Sequence, residues 1–321
     1  MATEVHRRWA RAVLLVALVT GGLAACDDDG PEPDVVGAVV AGTGATVEGE
    51  SGFLFVPAGR IDVTIGRPLT RALAADETAD GLVHAPPVGG AFVPVSWTHD
   101  PAALPAPLEV VGTHPALTSM ALVADGTSYA LGSPYDVAGV GGTTDALVRV
   151  MFVAVPAVPA HLVVSGDYEG VTQTLDPATG QIGPAAAGPL YHPVPRLTAS
   201  PCGTGREAGP HGTGPDVTCS VRDVVVVPHV PGPGWAQPPG GWLVVHYRVD
   251  VGAAQVRRVS VTLDGADPVT VLSSSSARHR ARAAVVFGDA TRGGELRLRL
   301  VVGQPGQRRT TTVVRTVTLR R

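Results

Sequence analysis

Short runs in which apolar and polar residues alternate recur along most of the chain, and each is closed by Gly, Pro, Asp or Ser. Alternation with a period of two puts one set of side chains on one face of an extended strand. On that pattern Arg60–Ile65, Phe92–Thr98, Ala121–Ala124, Ala146–Val155 and His161–Ser165 are predicted strands. Later in the chain the same reading predicts Ser220–Val227, Trp242–Val251, Val259–Leu263, Arg280–Phe287, Glu295–Val302 and Thr312–Leu319. Only Pro68–Ala75 has helical spacing, with Leu69, Ala72 and Leu73 on one face. The expected class is all-β, with sheets packed as sandwiches.

The two halves share their punctuation. Phe92 lies in a Gly-Gly-initiated strand as Trp242 does, and Asp125-Gly126 answers Asp264-Gly265 after an apolar run. Phe152 then answers Phe287, Leu162 answers Leu296, and Gln173-Thr174-Leu175 answers Val317-Thr318-Leu319. The common order is that of a doubled module. The chain divides into residues 35–182, a Pro/Ala-rich linker at 183–200, and residues 201–321.

Before the first module, Arg7, Arg8 and Arg11 precede the apolar run Ala12–Val19, which is shorter than the 18 or so residues of a spanning helix. Charged head, short apolar segment and small residues form the layout of a secretory signal. The following Leu23-Ala24-Ala25-Cys26 resembles the lipobox of bacterial lipoproteins. That resemblance implies cleavage after residue 25, acylation of Cys26, and residence on the outer face of the cell membrane, held by lipid. Residues 26–34, with Asp27, Asp28, Asp29, Glu32 and Asp34, read as a flexible acidic tether. The first module resembles the telokin-like, immunoglobulin-like domains of bacterial surface lipoproteins. The resemblance rests on Phe92–Trp97, on Leu122–Tyr129 around the Asp-Gly turn, and on Met151–Pro156 followed by Leu162, Val163 and Asp167-Tyr168. It implies two tandem immunoglobulin-like sandwiches and brings no shared enzymatic activity; the second module matches more loosely.

With Cys26 acylated, Cys202 and Cys219 remain, separated by 16 residues of a Gly/Pro/Thr-rich stretch. Outside the cytosol such a pair reads as a disulfide; a metal site of Cys202, His211 and Cys219 is the alternative.

All 24 basic residues are Arg, and the chain has neither Lys nor Asn. This excludes a Walker-A lysine, a Schiff-base lysine, a Ser-x-x-Lys nucleophile and N-glycosylation. No His-x-His, His-Glu-x-x-His or Gly-x-Ser-x-Gly occurs, and Ser273–Ser276 reads as a serine-rich turn. No metal, cofactor or nucleic-acid partner is signalled, and a non-catalytic protein is expected.

Charge is the remaining signal. Asp27 to Leu190 holds 19 acids against four Arg, a balance of −15, while Tyr191 to Arg321 holds 17 Arg against eight acids, +9. Arg278, Arg280 and Arg282 alternate with apolar residues, as do Arg297 and Arg299. Paired as a hairpin through Gly288–Gly294, these runs would place all five guanidinium groups on one face, fit for phosphate or carboxylate. The expected function is a lipid-anchored surface binding or scaffold module for an anionic envelope polymer or protein. Arginine filling lysine's ordinary surface role is the plainer reading of the same residues. The alternative function is an envelope hydrolase, or its accessory subunit, with a site between the modules.

Overall fold

The computed structural model describes residues 31–43, 47–100, 102–103, 118–133, 149–183, 185–192, 195–206, 215–237, 240–288 and 292–321. Residues 1–30, with Cys26 and the expected signal segment, lie outside them, as does His211. The first module comprises β1 (Val39–Ala41), β2 (Gly49–Val56), β3 (Gly59–Gly66), β4 (Ala91–Asp100), β5 (Thr118–Ala124), β6 (Thr127–Gly132), β7 (Arg149–Val155), β8 (Leu162–Tyr168), β9 (Val171–Asp176) and β10 (Gln181–Gly183). The second comprises β11 (Arg196–Ala199), β12 (Thr204–Arg206), β13 (Asp216–Val227), β14 (His229–Val230), β15 (Gly234–Trp235), β16 (Trp242–Asp250), β17 (Gln255–Leu263), β18 (Thr270–Ala277), β19 (Arg280–Phe287), β20 (Gly294–Gly303) and β21 (Thr310–Arg320). The chain is all-β, and each predicted strand lies on one of these.

In the first module two antiparallel sheets, β1-β7-β4-β3-β2 and β10-β9-β8-β5-β6, face each other. Their core includes Ile61, Val93, Trp97, Leu122, Val164 and Leu175. Phe92, Phe152 and Ala154 on the opposite face of the first sheet are also buried, under Leu69 and Leu73. That double burial is why β4 reads as a nearly continuous apolar run. Its cover is the segment expected to be helical. Instead Leu69 exchanges backbone hydrogen bonds with Phe92 (2.7 and 2.8 Å), and Leu73 with His84 (2.8 and 3.2 Å). The helical spacing of Leu69 and Leu73 is satisfied by an extended segment because tertiary pairing outweighs the weak local preference.

In the second module β11 passes between sheets: Arg196 and Leu197 pair with β13, Thr198 and Ala199 with β21. It joins β13-β16-β19-β18 to β17-β20-β21 and encloses a core with Leu243, Val285, Phe287, Leu296, Leu298 and Leu300. The region expected to be linker thus supplies this strand and the 3-10 helix Ala185–Tyr191.

Both modules share one wiring. The pairs β3–β4, β4–β7, β5–β8 and β8–β9 correspond to β13–β16, β16–β19, β17–β20 and β20–β21. The two Asp-Gly turns match atom for atom. Asp125 N donates to His161 O and its Oδ1 accepts the His161 N–H; Asp264 does the same with Glu295. Both Asp and both Gly take positive φ, as a two-residue hairpin turn requires. The strand after the turn then diverges. β6 pairs back with β5, whereas β18 crosses to the sheet of β19. The Phe152/Phe287 match slips by one residue, since Val153 faces Val93 where Phe287 faces Leu243. The last match slips by four, because Arg315 stands opposite Leu298 as Leu175 stands opposite Val164.

Cys202 and Cys219 form a disulfide, with Cα atoms 5.5 Å apart, that ties the chain after β11 into β13 beside the core. Closing a loop of this length restricts the unfolded chain by about 3 kcal/mol. The double Cys→Ser variant is expected to lose about that much in urea denaturation monitored by circular dichroism. A loss below about 0.5 kcal/mol would mean that loop closure contributes little to the fold.

Candidate functional site

The outer face of the sheet β13-β16-β19-β18 is divided by a β-bulge. Before it, Ser220 and Arg222 point outward, with Cys219 on the core side; the register of β13 against β16 then shifts between Arg222 and Val225. Asp223 takes φ +48° there. After the bulge the outward residues are Val225 and Val227. These join Val244 and Val286 in an apolar cluster with Ala187, Leu190 and Val230. One end of the face therefore docks, and the other stays open to solvent.

At the docked end the hairpin β14–β15 sets His229 directly beside Trp235 and presses both onto the first module. Trp235 Nε1 donates to Tyr168 O (2.8 Å), and His229 Nε2 lies 2.6 Å from Glu169 Oε2. Tyr168, His229 and Trp235 meet edge to face, with ring centroids 5.0 to 6.3 Å apart. Glu169 sits at φ +48° in the β8–β9 turn, an unfavourable place for a residue that is neither Gly, Asn nor Asp. Its longer side chain is what reaches the second module. From the 3-10 helix, the Tyr191 hydroxyl donates to Gln173 Oε1 (2.6 Å) and accepts from the Phe55 amide (2.9 Å), while Gln173 Nε2 donates to Phe55 O (2.7 Å). Burial pushes the Tyr191 hydroxyl up to about 12, so it remains a donor.

His229 is fully enclosed, and its Nδ1 has no hydrogen-bond partner among the described residues. Burial pulls its pKa below the ordinary imidazole value, against the opposing hydrogen bond and charge of Glu169. The neutral ring donates from Nε2. As pH falls, the unfolded chain takes up the proton before the folded one. Stability is therefore complete above about pH 6.5 and declines below it. Burial lowers His99 and His246 in the same direction. Thermal stability is expected to drop from pH 7 to pH 5, with His229→Gln showing a shallower drop. Equal slopes in parent and variant would remove His229 from the account.

At the open end three rows of side chains run across the strands. Thr218, Asp250, Arg280 and Ala277 form the first, Ser220, Arg248, Arg282 and Ser275 the second, and Arg222 and His246 begin the third. Asp250 Oδ2 accepts from Arg280 Nε at 2.7 Å. This bond, with the Gly252 amide, holds the Asp250 carboxyl below its usual range. In the second row Arg248 stands directly opposite Arg282. Like charges placed so are destabilising, and among the described residues no carboxylate pairs with either, or with Arg222. The rows line a shallow groove of ≈ 650 Å³.

The five Arg singled out from the sequence do not share this face. β19 pairs with β16 and β18, and β20 with β17 and β21, so the expected hairpin does not form and the two strands lie in opposite sheets. Arg280 and Arg282 belong to the groove, and Arg278 lies in the turn before β19. Arg297 and Arg299 point outward from the other sheet, beside Thr262 and Ser260, with Arg297 Nη2 bonded to Glu295 (2.9 Å). Arg222 and Arg248 are the additions. Arg248 alternates with the buried Tyr247 and Val249, so its signal was present, whereas Arg222 sits between half-buried Val221 and exposed Asp223, and the neighbours of both are set by pairing across long separations. Ser273–Ser276 is part of the edge strand β18, with Ser273 and Ser275 in the groove wall.

Among the described residues the carboxyl groups shifted in pKa, Glu77, Asp80, Asp176 and Asp250, are all lowered, and no cluster of His, Cys, Asp and Glu has the makings of a metal site. No helix among them is long and apolar enough to cross a membrane. Compared with protein families, with characterised proteins and with solved structures, the chain matches none.

Proposed function

We propose that the protein is a lipid-anchored binding or scaffold module on the outer face of the cell membrane, held by an acylated Cys26, and that the row Ser220–Arg248–Arg282–Ser275 receives an anionic partner. The observation that carries this reading is the facing pair Arg248 and Arg282, neither of which forms a salt bridge among the described residues, with only the longer-range charge of Asp250 acting on Arg248. Two guanidinium groups on adjacent strands offer paired forks of donors to the phosphate or carboxylate groups of a polymer. The hydroxyls at the ends of the row add hydrogen bonds, and the +9 balance of residues 191–321 draws a polyanion toward them. The acidic tether and the −15 of the preceding residues repel the same ligand, leaving it to the second module. The wiring β13-β16-β19-β18 against β17-β20-β21 has the strand order of a seven-stranded immunoglobulin sandwich. It supports that identity for the second module, and the repeat of the wiring extends it to the first.

The test is binding of fluorescent polygalacturonate and polyphosphate to the purified protein from low to high salt. Affinity should fall steeply as screening increases. Binding indifferent to salt would refute the anionic reading.

A further inference from the structure

A second groove, of ≈ 1170 Å³, opens where β15, the start of β16 and the end of β19 converge. It is separate from the basic rows. Trp235 and Trp242 form its walls and the buried Phe287 part of its floor. Asp264, Asp267, Gln237 and Arg292 stand around it. The two indoles are held in place by their own donors: Trp235 Nε1 bonds to Tyr168 O and Trp242 Nε1 to Gly234 O, both at 2.8 Å. Every lining residue belongs to the second module, and apolar walls with a few converging polar groups are the usual make-up of a ligand site.

The polar groups select the ligand class. A proline-rich peptide docks on aromatic grooves through its carbonyls, yet both indole N–H donors are already engaged. A cation would sit well on the rings and the carboxylates, but it would meet the Arg292 guanidinium on the same rim. Asp264 and Asp267 accept; Gln237 and Arg292 donate. Asp264 gives one oxygen to the Glu295 amide, and the Asp267 carboxylate has no hydrogen bond among the described residues. A ligand that uses both kinds of group must carry atoms that donate and accept together, and it must lay an apolar face on indole. Sugar rings have hydroxyls of this kind and C–H faces. We infer that the Trp235–Trp242 groove binds a neutral saccharide chain, independently of the anionic partner proposed above.

The experiment titrates the full chain, carrying Trp9→Phe, with cellohexaose, mannohexaose and chitohexaose, reading tryptophan emission and calorimetric heat. Trp97 is buried in the first module, so an emission change reports on the groove. At least one sugar should bind saturably. Asp267→Asn, at an exposed position, should weaken it about tenfold, the loss of a charged hydrogen bond, and Trp242→Ala should abolish it. Circular dichroism checks that each variant is folded. Arg248→Glu with Arg282→Glu should leave sugar binding unchanged, so this inference and the anionic reading can fail separately. The inference is overturned if no sugar binds at millimolar concentration. Choline or hexaproline binding in place of the sugars would overturn it too, as would an Asp267→Asn variant that binds like the parent.

Discussion

Replacing Trp235 with Ala is expected to destabilise the protein by about 3 kcal/mol and to split one unfolding transition into two. The indole packs at once on the core of the first module and on the apolar cluster at the junction. Its removal opens a cavity that neither module can close alone, and it strips the Tyr168 carbonyl of its donor. The loss of apolar contact dominates, because a net hydrogen bond contributes only about 1 kcal/mol. Scanning calorimetry and urea denaturation read both effects. The remaining ties are the His229–Glu169 and Tyr191–Gln173 hydrogen bonds and the smaller apolar contacts of Phe53, Phe55 and Val171. They are too weak to keep two sandwiches melting together. A single transition displaced by less than about 1 kcal/mol would show that the modules are coupled elsewhere.

The variant Arg248→Glu with Arg282→Glu is expected to weaken polyanion binding by at least about a hundredfold at low salt. Each lost charge-assisted hydrogen bond contributes about 1.5 to 3 kcal/mol, and reversal adds repulsion. Arg297→Glu makes the matched control. It removes one positive charge from the opposite sheet, where Arg297 already has Glu295 as partner, and should cost less than about threefold through the long-range field alone. If the two variants weakened binding equally per charge, net charge and not the row would be the determinant. Stability offers an internal check. Since Arg248 and Arg282 repel each other across paired strands, Arg282→Gln should leave the fold unharmed or slightly firmer in the absence of ligand.

Where strands lie was readable from local pattern because burial on one face imposes a period of two. β19 and β20 were legible to within a residue or two, with their inward Ala283, Val285, Leu296 and Leu298. β2, β6, β9 and β18 were among those missed: in β18, TVLSSSSA, serines stand in most places and the strand is largely exposed at a sheet edge, and in β2, GESGFLFV, Gly49 to Gly52 break the alternation before four consecutive apolar residues. The helical spacing at Pro68–Ala75 misled because Leu69 and Leu73 are buried by an extended segment crossing a sheet.

The covalent and local features were in the order of residues itself: alternation, the Asp-Gly turns, a cysteine pair close enough to join, and the opposed charge of the two halves. Each is read from the linear order without knowing which strands pair. Which arginines meet depended on pairing between strands distant in the chain, and so did the junction built by Trp235, His229 and Glu169. β18 crosses to the far sheet after a turn that leaves β6 beside β5, and no local signal separates the two outcomes. That crossing sets Ser275 next to Arg282, and the placing of β19 and β20 in opposite sheets divides the charge between two faces. Strand partners are chosen by the fit of the whole core, so the face that binds is a property of the folded chain.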